Sequence, residues 1–509
     1  MDYGTLKPFF YPRGIAVIGA SREKDKPGHV IFKILLENCK KGILKANVYA
    51  VNPKADYILG ERVYKSVLEL PSDVDLGVVV VPAKIVPLVM EEVGKKGIKA
   101  VIIISAGFSE VGRRDLENKV VEIARKYGTR IIGPNCIGIF SPWSGLDTIF
   151  LPYYKELSTG KKAVSTPRPP KGFVALLSQS GAVGTAALDY MSGENIGLSY
   201  FVSFGNKADV DENELLEYLK NDEKTRVILL YIENIKNGRK FVEVASKVSL
   251  EKPIIVLKAG RTEAGKRAAA SHTAAIAGVD EIYDAAFRRS GVIRAYDLEE
   301  LFDLAKALSM QPPAKGPRVG IITDGGGAGV MATDMAEILG LKVPELKGET
   351  REELEKLKEK GVFPEFSQLG NPVDLTGSAT TEMFVKATEI LVRSDEIDIV
   401  VVLALHQVPG IPDPIELARK ITMISRESRK PIIGVDTGWS EAAILEREEF
   451  DRRGVPSYPI PERAIKASYA LYLYGKYLLE KNAFDSYIDR FFAWKEKFFG
   501  KTSSISSDF

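Results

Sequence analysis

Three residue groups in this 509-residue chain have side chains suited to group transfer. His272 stands between Ser271 and Thr273 in the run Lys266-Arg-Ala-Ala-Ala-Ser-His-Thr-Ala-Ala-Ile-Ala-Gly278. An imidazole so placed can act as a nucleophile whose nitrogen takes and returns a phosphoryl group; the competing reading is a surface loop histidine. Glu233 closes the apolar run Val227 to Ile232. A carboxylate at a strand end can accept a hydrogen bond from one imidazole nitrogen and so decide which nitrogen attacks; taken alone it is an ordinary surface acid. Ser178, Gln179, Ser180 and Gly181 lie between a strand pattern and a helix pattern. Their amides and hydroxyls at a helix start make an anion site without a charged side chain, and they would equally serve as a plain glycine turn.

Other candidates are weaker. Asp324-Gly-Gly-Gly327 occupies the equivalent place in a second copy but puts acid and glycine where the first has serine, which suits phosphate less and favours a structural turn. Gly260-Arg-Thr-Glu-Ala-Gly265-Lys266 imitates a phosphate-binding loop until Arg267 replaces the required Ser or Thr, so the magnesium hydroxyl is missing. No Gly-x-Gly-x-x-Gly occurs, which argues against a nicotinamide dehydrogenase. His29 and His406 read as a helix-start and a strand-end residue, and Cys136 as a small buried filler.

The elements that must position these groups follow from hydrophobic patterning. Short β-branched runs (Ile15 to Ile18, Asn47 to Val51, Leu76 to Val81, Ala100 to Ile104, Arg130 to Ile132) alternate with amphipathic stretches such as Pro87 to Lys96 and Arg113 to Tyr127. That alternation predicts parallel α/β domains, the first Rossmann-like over residues 1–150. Its strand ends supply Gly19-Ala20-Ser21, Asn52-Pro-Lys54, Val81-Pro82, Ser105-Ala106-Gly107-Phe108 and Gly133-Pro-Asn135-Cys136, together one crevice rim of small and polar groups. Residues 151–171, basic and Pro-rich, read as an exposed, mobile linker or loop. Beyond it the chain repeats itself. Val174 to Asp189 overlays Val319 to Asp334, and Lys252 to Gly265 overlays Lys430 to Ala443. Two flavodoxin-like domains are therefore expected at 172–310 and 316–475, followed by a C-terminal helix and tail over 476–509. Gly291 lies 31 positions after Gly260 and Gly454 only 16 after Gly438, so the first copy carries 15 more residues, and these surround His272. An insertion of Ala, Ser and Gly around one histidine reads as a mobile arm.

Composition bounds the function. Seventy basic against 68 acidic residues give a net charge of +2, which argues against a nucleic-acid surface. No apolar run is long enough to cross a bilayer and Met1-Asp2-Tyr3 opens no secretory signal, so a soluble cytoplasmic protein is expected. Two cysteines exclude a disulfide framework or a cysteine metal cluster. Only four glutamines, against abundant Lys and Glu, hint at a thermophilic host.

The segments VIGAS (17–21), SAGFSEVG (105–112), GPNCIGI (133–139), SQSGAVG (178–184), SFGNKADVDENELLEYL (203–219) and SHTAAIAG (271–278) carry a resemblance from about residue 8 to 475. The chain resembles the α subunit of the ADP-forming acyl-CoA synthetases, the acetate-CoA ligase type, relatives of succinyl-CoA synthetase. Ala274 stands where many members have Gly, which leaves the histidine itself in place. The resemblance implies a CoA-binding first domain and two succinyl-CoA synthetase-like domains. It implies that acyl-CoA, phosphate and ADP become carboxylic acid, CoA and ATP through acyl phosphate and phosphohistidine. His272 and Glu233 would be catalytic, Ser178, Gln179, Ser180 and Gly181 would bind phosphate, and CoA would lie against Gly19, Ala20, Ser21, Lys54, Val81, Pro82, Ser105, Ala106, Gly107, Phe108, Asn135 and Cys136. ADP or ATP and Mg²⁺ would sit on a β subunit of ATP-grasp fold, in an α₂β₂ assembly or beside an α dimer. A succinyl-CoA or citryl-CoA ligase and a silent CoA-binding regulator are the alternatives.

Overall fold

The computed structural model describes residues 3–273 and 279–499, with side chains for residues 6–268 and 279–498. The chain forms two compact units, Met1–Tyr296 and Asp297–Phe509. Among the described residues no helix is long and apolar enough to cross a membrane.

Unit one opens with strands β1 (Gly14–Ile18), β2 (Asn47–Val51), β3 (Tyr57–Ile58), β4 (Glu61–Tyr64), β5 (Val74–Val79), β6 (Ala100–Ile103) and β7 (Arg130–Ile132), and with helices α1 (Pro27–Lys40), α2 (Val86–Lys96) and α3 (Arg114–Tyr127). The sheet order is β3-β4-β2-β1-β5-β6-β7. All neighbours run parallel except β3 with β4. With the antiparallel edge strand set aside this is the doubly wound order 3-2-1-4-5-6. β1, β5 and β6 are buried on both faces, which explains their unbroken apolar runs.

The rest of unit one holds β8 (Ile139–Ser141), β9 (Leu146–Asp147), β10 (Tyr154–Glu156), β11 (Lys162–Val164), β12 (Lys171–Ser178), β13 (Leu198–Ser203), β14 (Val227–Ile232), β15 (Ile254–Lys258) and β16 (Ile293–Ala295), with α4 (Gly181–Gly193), α5 (Glu212–Lys220), α6 (Gly238–Val248), α7 (Glu263–Thr273) and α8 (Asp280–Ser290). The sheet order is β16-β15-β14-β12-β13-β8-β9. Its parallel part has the flavodoxin-like order 2-1-3-4-5, with the switch point between β12 and β14.

In unit two, α9 (Leu298–Met310) packs on α15 (Pro461–Glu480). The sheet comprises β17 (Val319–Thr323), β18 (Gln368–Leu369), β19 (Val373–Asp374), β20 (Ile399–Leu403), β21 (Ile432–Val435) and β22 (Ser457–Tyr458), ordered β18-β19-β17-β20-β21-β22. β19-β17-β20-β21-β22 repeats the 2-1-3-4-5 order, the match expected of the internal repeat. The remaining helices are α10 (Gly326–Leu339), α11 (Gly348–Glu359), α12 (Thr381–Arg393), α13 (Pro414–Glu427), α14 (Glu441–Arg452) and α16 (Phe484–Phe499).

Two local expectations change. The 151–171 segment is not a plain loop: β10 and β11 pair antiparallel about a turn in which Gly160 takes a left-handed φ of 75° and Leu157 exchanges backbone hydrogen bonds with Lys161 and Gly160. Strands of three residues are too short to show a period. The expected loop before His272 is helical through Thr273, since Lys266-Arg-Ala-Ala-Ala is a strong helix-forming run. The first residues of α7, Glu263 to Gly265, overlay the start of α14, and the extra residues of the first copy supply the rest of α7 before α8. α9, which the repeat places at the end of the 172–310 domain, is part of the compact unit Asp297–Phe509.

Candidate active site

β12 delivers Ser178, Gln179 and Ser180 to the start of α4. The Ser180 side chain caps that helix, its Oγ accepting from Val183 N at 3.3 Å, while Ser178 Oγ donates to Ser180 O at 2.6 Å. Both serines are therefore held by local geometry, and the first-turn amides of α4 face the end of the sheet. Gln179 ties this loop to the one after β14. Its backbone N donates to Tyr231 O at 3.0 Å, and its Oε1 accepts from Glu233 N at 3.0 Å and Asn234 N at 3.4 Å. The switch point is thus closed by one buried amide side chain.

Glu233 is 7% exposed at the end of β14. Burial, with the Glu233 charge adding to it, pushes the neighbouring Tyr231 hydroxyl up to about 12. Two lysines that patterning did not single out frame the same loop. Lys207 Nζ donates to Asn234 O at 2.6 Å and pairs with Glu212 Oε2 at 2.8 Å, both side chains wholly buried. Lys258 ends β15, with its ammonium 4.6 Å over the Tyr283 ring and donating to Ala259 O. Burial lowers its pKa to about 8, the acid groups of Asp280 and Glu233 opposing that fall. Lys207 lay inside the SFGNKADVDENELLEYL segment, the one sequence signal for it; Lys258 ends an apolar run with nothing nearby to mark it.

The carboxyl ends of the first sheet form a connected rim. Asn52 Nδ2 donates to Ala20 O at 2.7 Å, Lys54 N to Asn52 Oδ1 at 2.8 Å, Ser105 Oγ to Val81 O at 2.5 Å, and Asn135 N to Ser105 O at 3.0 Å. Gly19, at φ 100°, has no room for a Cβ, which would lie 2.6 Å from Val80 O. Pro82 and Ala106 are exposed on this rim. Two of the expected rim residues point elsewhere. The Phe108 ring is fully buried in the core, and the Cys136 thiol, 3% exposed, donates to Ile103 O at 3.3 Å and is pushed up to about 12 by burial. A residue at a strand end alternates between rim and core, and a list of loop residues does not reveal which way each one faces.

The rim and the second sheet meet within unit one. Asn206 Nδ2 donates to Glu110 Oε2 at 2.6 Å, Glu117 Oε2 at 2.9 Å and Ser109 Oγ at 3.1 Å, and Asn135 Nδ2 donates to Asn206 Oδ1 at 3.2 Å. α7 runs alongside the 3₁₀ turn Ser109–Val111 of this rim. His272 lies in the last turn of α7; its side chain, like residues 274–278, is outside the described residues. The backbone thus places the histidine's helix beside the turn through which the rim is bonded to Asn206, in the loop after β13.

Comparison with known proteins agrees with this architecture. A CoA binding domain family matches residues 13–142, and a succinyl-CoA ligase like flavodoxin domain family matches residues 171–308. The chain is 45% identical over 488 residues to the acetate–CoA ligase [ADP-forming] I subunit alpha of Pyrococcus furiosus, covering 93% of this chain and 98% of that protein. The chain belongs to the ADP-forming acetate–CoA ligase family. A single-chain acetate–CoA ligase [ADP-forming] of Methanocaldococcus jannaschii is 41% identical, and the match covers 98% of this chain but 66% of that protein. Among solved structures, the dinucleotide forming acetyl-coenzyme A synthetase 1 of Ca. Korarchaeum cryptofilum, in complex with phosphate and ADP, aligns with a TM-score of 0.83 at 38% identity, covering 94% of this chain and 98% of that one. For this ligase family member, the archaeal relatives agree with the thermophile-like composition.

Proposed function

We propose that the chain is the acyl- and CoA-handling α subunit of an ADP-forming acyl-CoA synthetase, with acetate-type carboxylic acids as its substrate class. Acyl-CoA binds along the rim formed by Gly19–Ser21, Lys54, Val81-Pro82, Ser105–Gly107 and Asn135, with the backbone rather than the side chain of Phe108 and Cys136 taking part. Inorganic phosphate attacks the thioester carbonyl, the C–S bond breaks, and acyl phosphate and the CoA thiol result. A ring nitrogen of His272 then takes the phosphoryl group, the bond to the acyl oxygen breaks, and the carboxylic acid leaves. Transfer from His272 to ADP yields ATP and restores the imidazole. A covalent relay divides one difficult exchange into smaller ones.

The chain's own residues supply positioning and charge. Glu233 accepts from the imidazole and so selects the attacking nitrogen and steadies the phosphorylated ring. Ser178 to Gly181, with the α4 amides behind them, hold the phosphate. Lys258 lends positive charge near Glu233, which favours an anion, while Lys207, neutralised by Glu212, holds the Asn234 carbonyl beside it. ADP and Mg²⁺ are assigned to a partner of ATP-grasp fold, in the cytoplasm, assembled as α₂β₂. The longer single-chain relative, of which this chain spans 66%, leaves length for such a unit.

One observation carries the reading: Gln179 joins the phosphate-type loop to Glu233 at the switch point while the His272 helix runs beside the CoA-type rim. Incubation with acetyl-CoA and radiolabelled phosphate is expected to leave acid-labile, alkali-stable phosphohistidine on the peptide containing His272. His272→Ala should abolish it; label that persists in that variant overturns the relay.

A further inference from the structure

Unit two contains a second constellation of reactive side chains that the reaction above does not use. His406 follows β20, Asp436 follows β21, and Ser440 caps α14. His406 Nδ1 lies 2.8 Å from Asp436 Oδ1, and its backbone N also donates to that oxygen at 3.3 Å. His406 Nε2 lies 2.7 Å from Ser440 Oγ. A carboxylate only accepts, so the ring carries its proton on Nδ1; Nε2 is then an acceptor and the Ser440 hydroxyl donates to it. We propose that Ser440, His406 and Asp436 form an acyl-transfer triad that takes carboxylic esters and thioesters, independent of the His272 relay.

The surroundings suit that task. The Asp436 side chain is fully buried while Ser440 is exposed, the arrangement a nucleophile with a shielded orienting acid needs. Ser440 sits at the positive end of a twelve-residue helix and accepts from Ala443 N at 3.3 Å, so negative charge developing on Oγ is stabilised. The loop between acid and serine is pinned by Arg447 Nη1, which donates to Asp436 O at 2.8 Å and Gly438 O at 2.9 Å. Gly438 takes a left-handed φ of 110°, a backbone turn that glycine alone adopts readily, and this turn brings the loop past the His406 ring. Trp439, 71% exposed with the Arg447 guanidinium 5.3 Å over its ring, offers an apolar surface next to the serine for the acyl group.

The internal repeat supplies an independent argument. Overlaying β12 on β17 and their neighbours places Asn234 on His406, Lys258 on Asp436 and Thr262 on Ser440. All three positions differ between the copies, and in the second copy the three replacements converge on one hydrogen-bonded chain. A role confined to packing would require none of them to be reactive.

In the step, the Ser440 O–H proton passes to His406 Nε2 as Oγ bonds to the carbonyl carbon. The bond to the leaving alkoxide or thiolate then breaks, and that group takes the proton from the imidazolium. Water, deprotonated by the same nitrogen, releases the carboxylic acid and regenerates the hydroxyl.

The test uses the full chain without CoA, phosphate or ADP. It is treated with p-nitrophenyl acetate, and separately with a fluorophosphonate probe, and the adducts are mapped by mass spectrometry. An adduct on Ser440 is expected, absent in Ser440→Gly and formed about a hundredfold more slowly in His406→Asn. Glycine is itself a good helix cap, so Ser440→Gly keeps the fold while removing the nucleophile. No adduct on Ser440, or one that forms equally fast in His406→Asn, overturns the proposal.

Discussion

The buried pair Lys207–Glu212 is the sharpest handle on how the site is held. Both side chains are wholly buried, the ion pair is 2.8 Å long, and Lys207 Nζ also holds Asn234 O at 2.6 Å, next to Glu233. Glu212 Oε1 is buried without a hydrogen-bond partner, so the desolvation of this pair is not fully offset. Glu212→Gln leaves an ammonium buried beside a neutral amide, and removing one partner of such a pair costs about 3–5 kcal/mol. Hydrogen exchange resolves unit one from unit two: β14 amides that open with the unit should exchange roughly 150-fold faster or more, at 1.4 kcal/mol per tenfold. The double variant Lys207→Met with Glu212→Leu removes both charges and should recover most of that protection, because a well-packed apolar pair often replaces a buried ion pair without loss. It should nevertheless label poorly on His272, since nothing then fixes the Asn234 carbonyl beside Glu233. A single variant that exchanges within about fivefold of the parent, or a double variant that labels as well as the parent, refutes this reasoning.

Two further outcomes follow from local geometry. Asp324 is pushed up to about 7, by burial first and then by the charges of Asp436 and Asp374. A carboxyl raised in the folded state makes folding strongest below its unfolded value and weaker as pH climbs through the folded one. Unit two should therefore lose up to about 4 kcal/mol between pH 4 and 7 from this group alone, and Asp324→Asn should remove that slope from a pH series of unfolding midpoints; an unchanged slope counts against it. Gly19→Ala places a Cβ 2.6 Å from Val80 O at a φ of 100°, so the turn after β1 must shift. CoA affinity by calorimetry should fall at least tenfold with both sheets of unit one intact; unchanged affinity would remove this turn from the rim.

Much of the architecture is local and was legible along the chain. β-branched runs of buried parallel strands, the overlay of Val174–Asp189 on Val319–Asp334, and the insertion around His272 all follow from periodicity and spacing. The resemblance to the ligase family rested on contiguous segments for the same reason. Secondary structure that depends on few residues was less legible: the hairpin of β10 and β11 has three-residue strands, and the Ala-rich run within α7, read as a mobile arm for its small residues, is helical. What only the tertiary structure decided is adjacency across strands. Gln179 meets Glu233 because β12 and β14 are neighbours at a switch point, though 54 residues separate them. His406, read as a plain strand-end residue, meets Asp436 and Ser440 because β20 and β21 lie side by side. The hydrophobic pattern marks each strand as buried but is the same for any strand order, so the pairing of polar residues at strand ends is set by chain crossovers and packing.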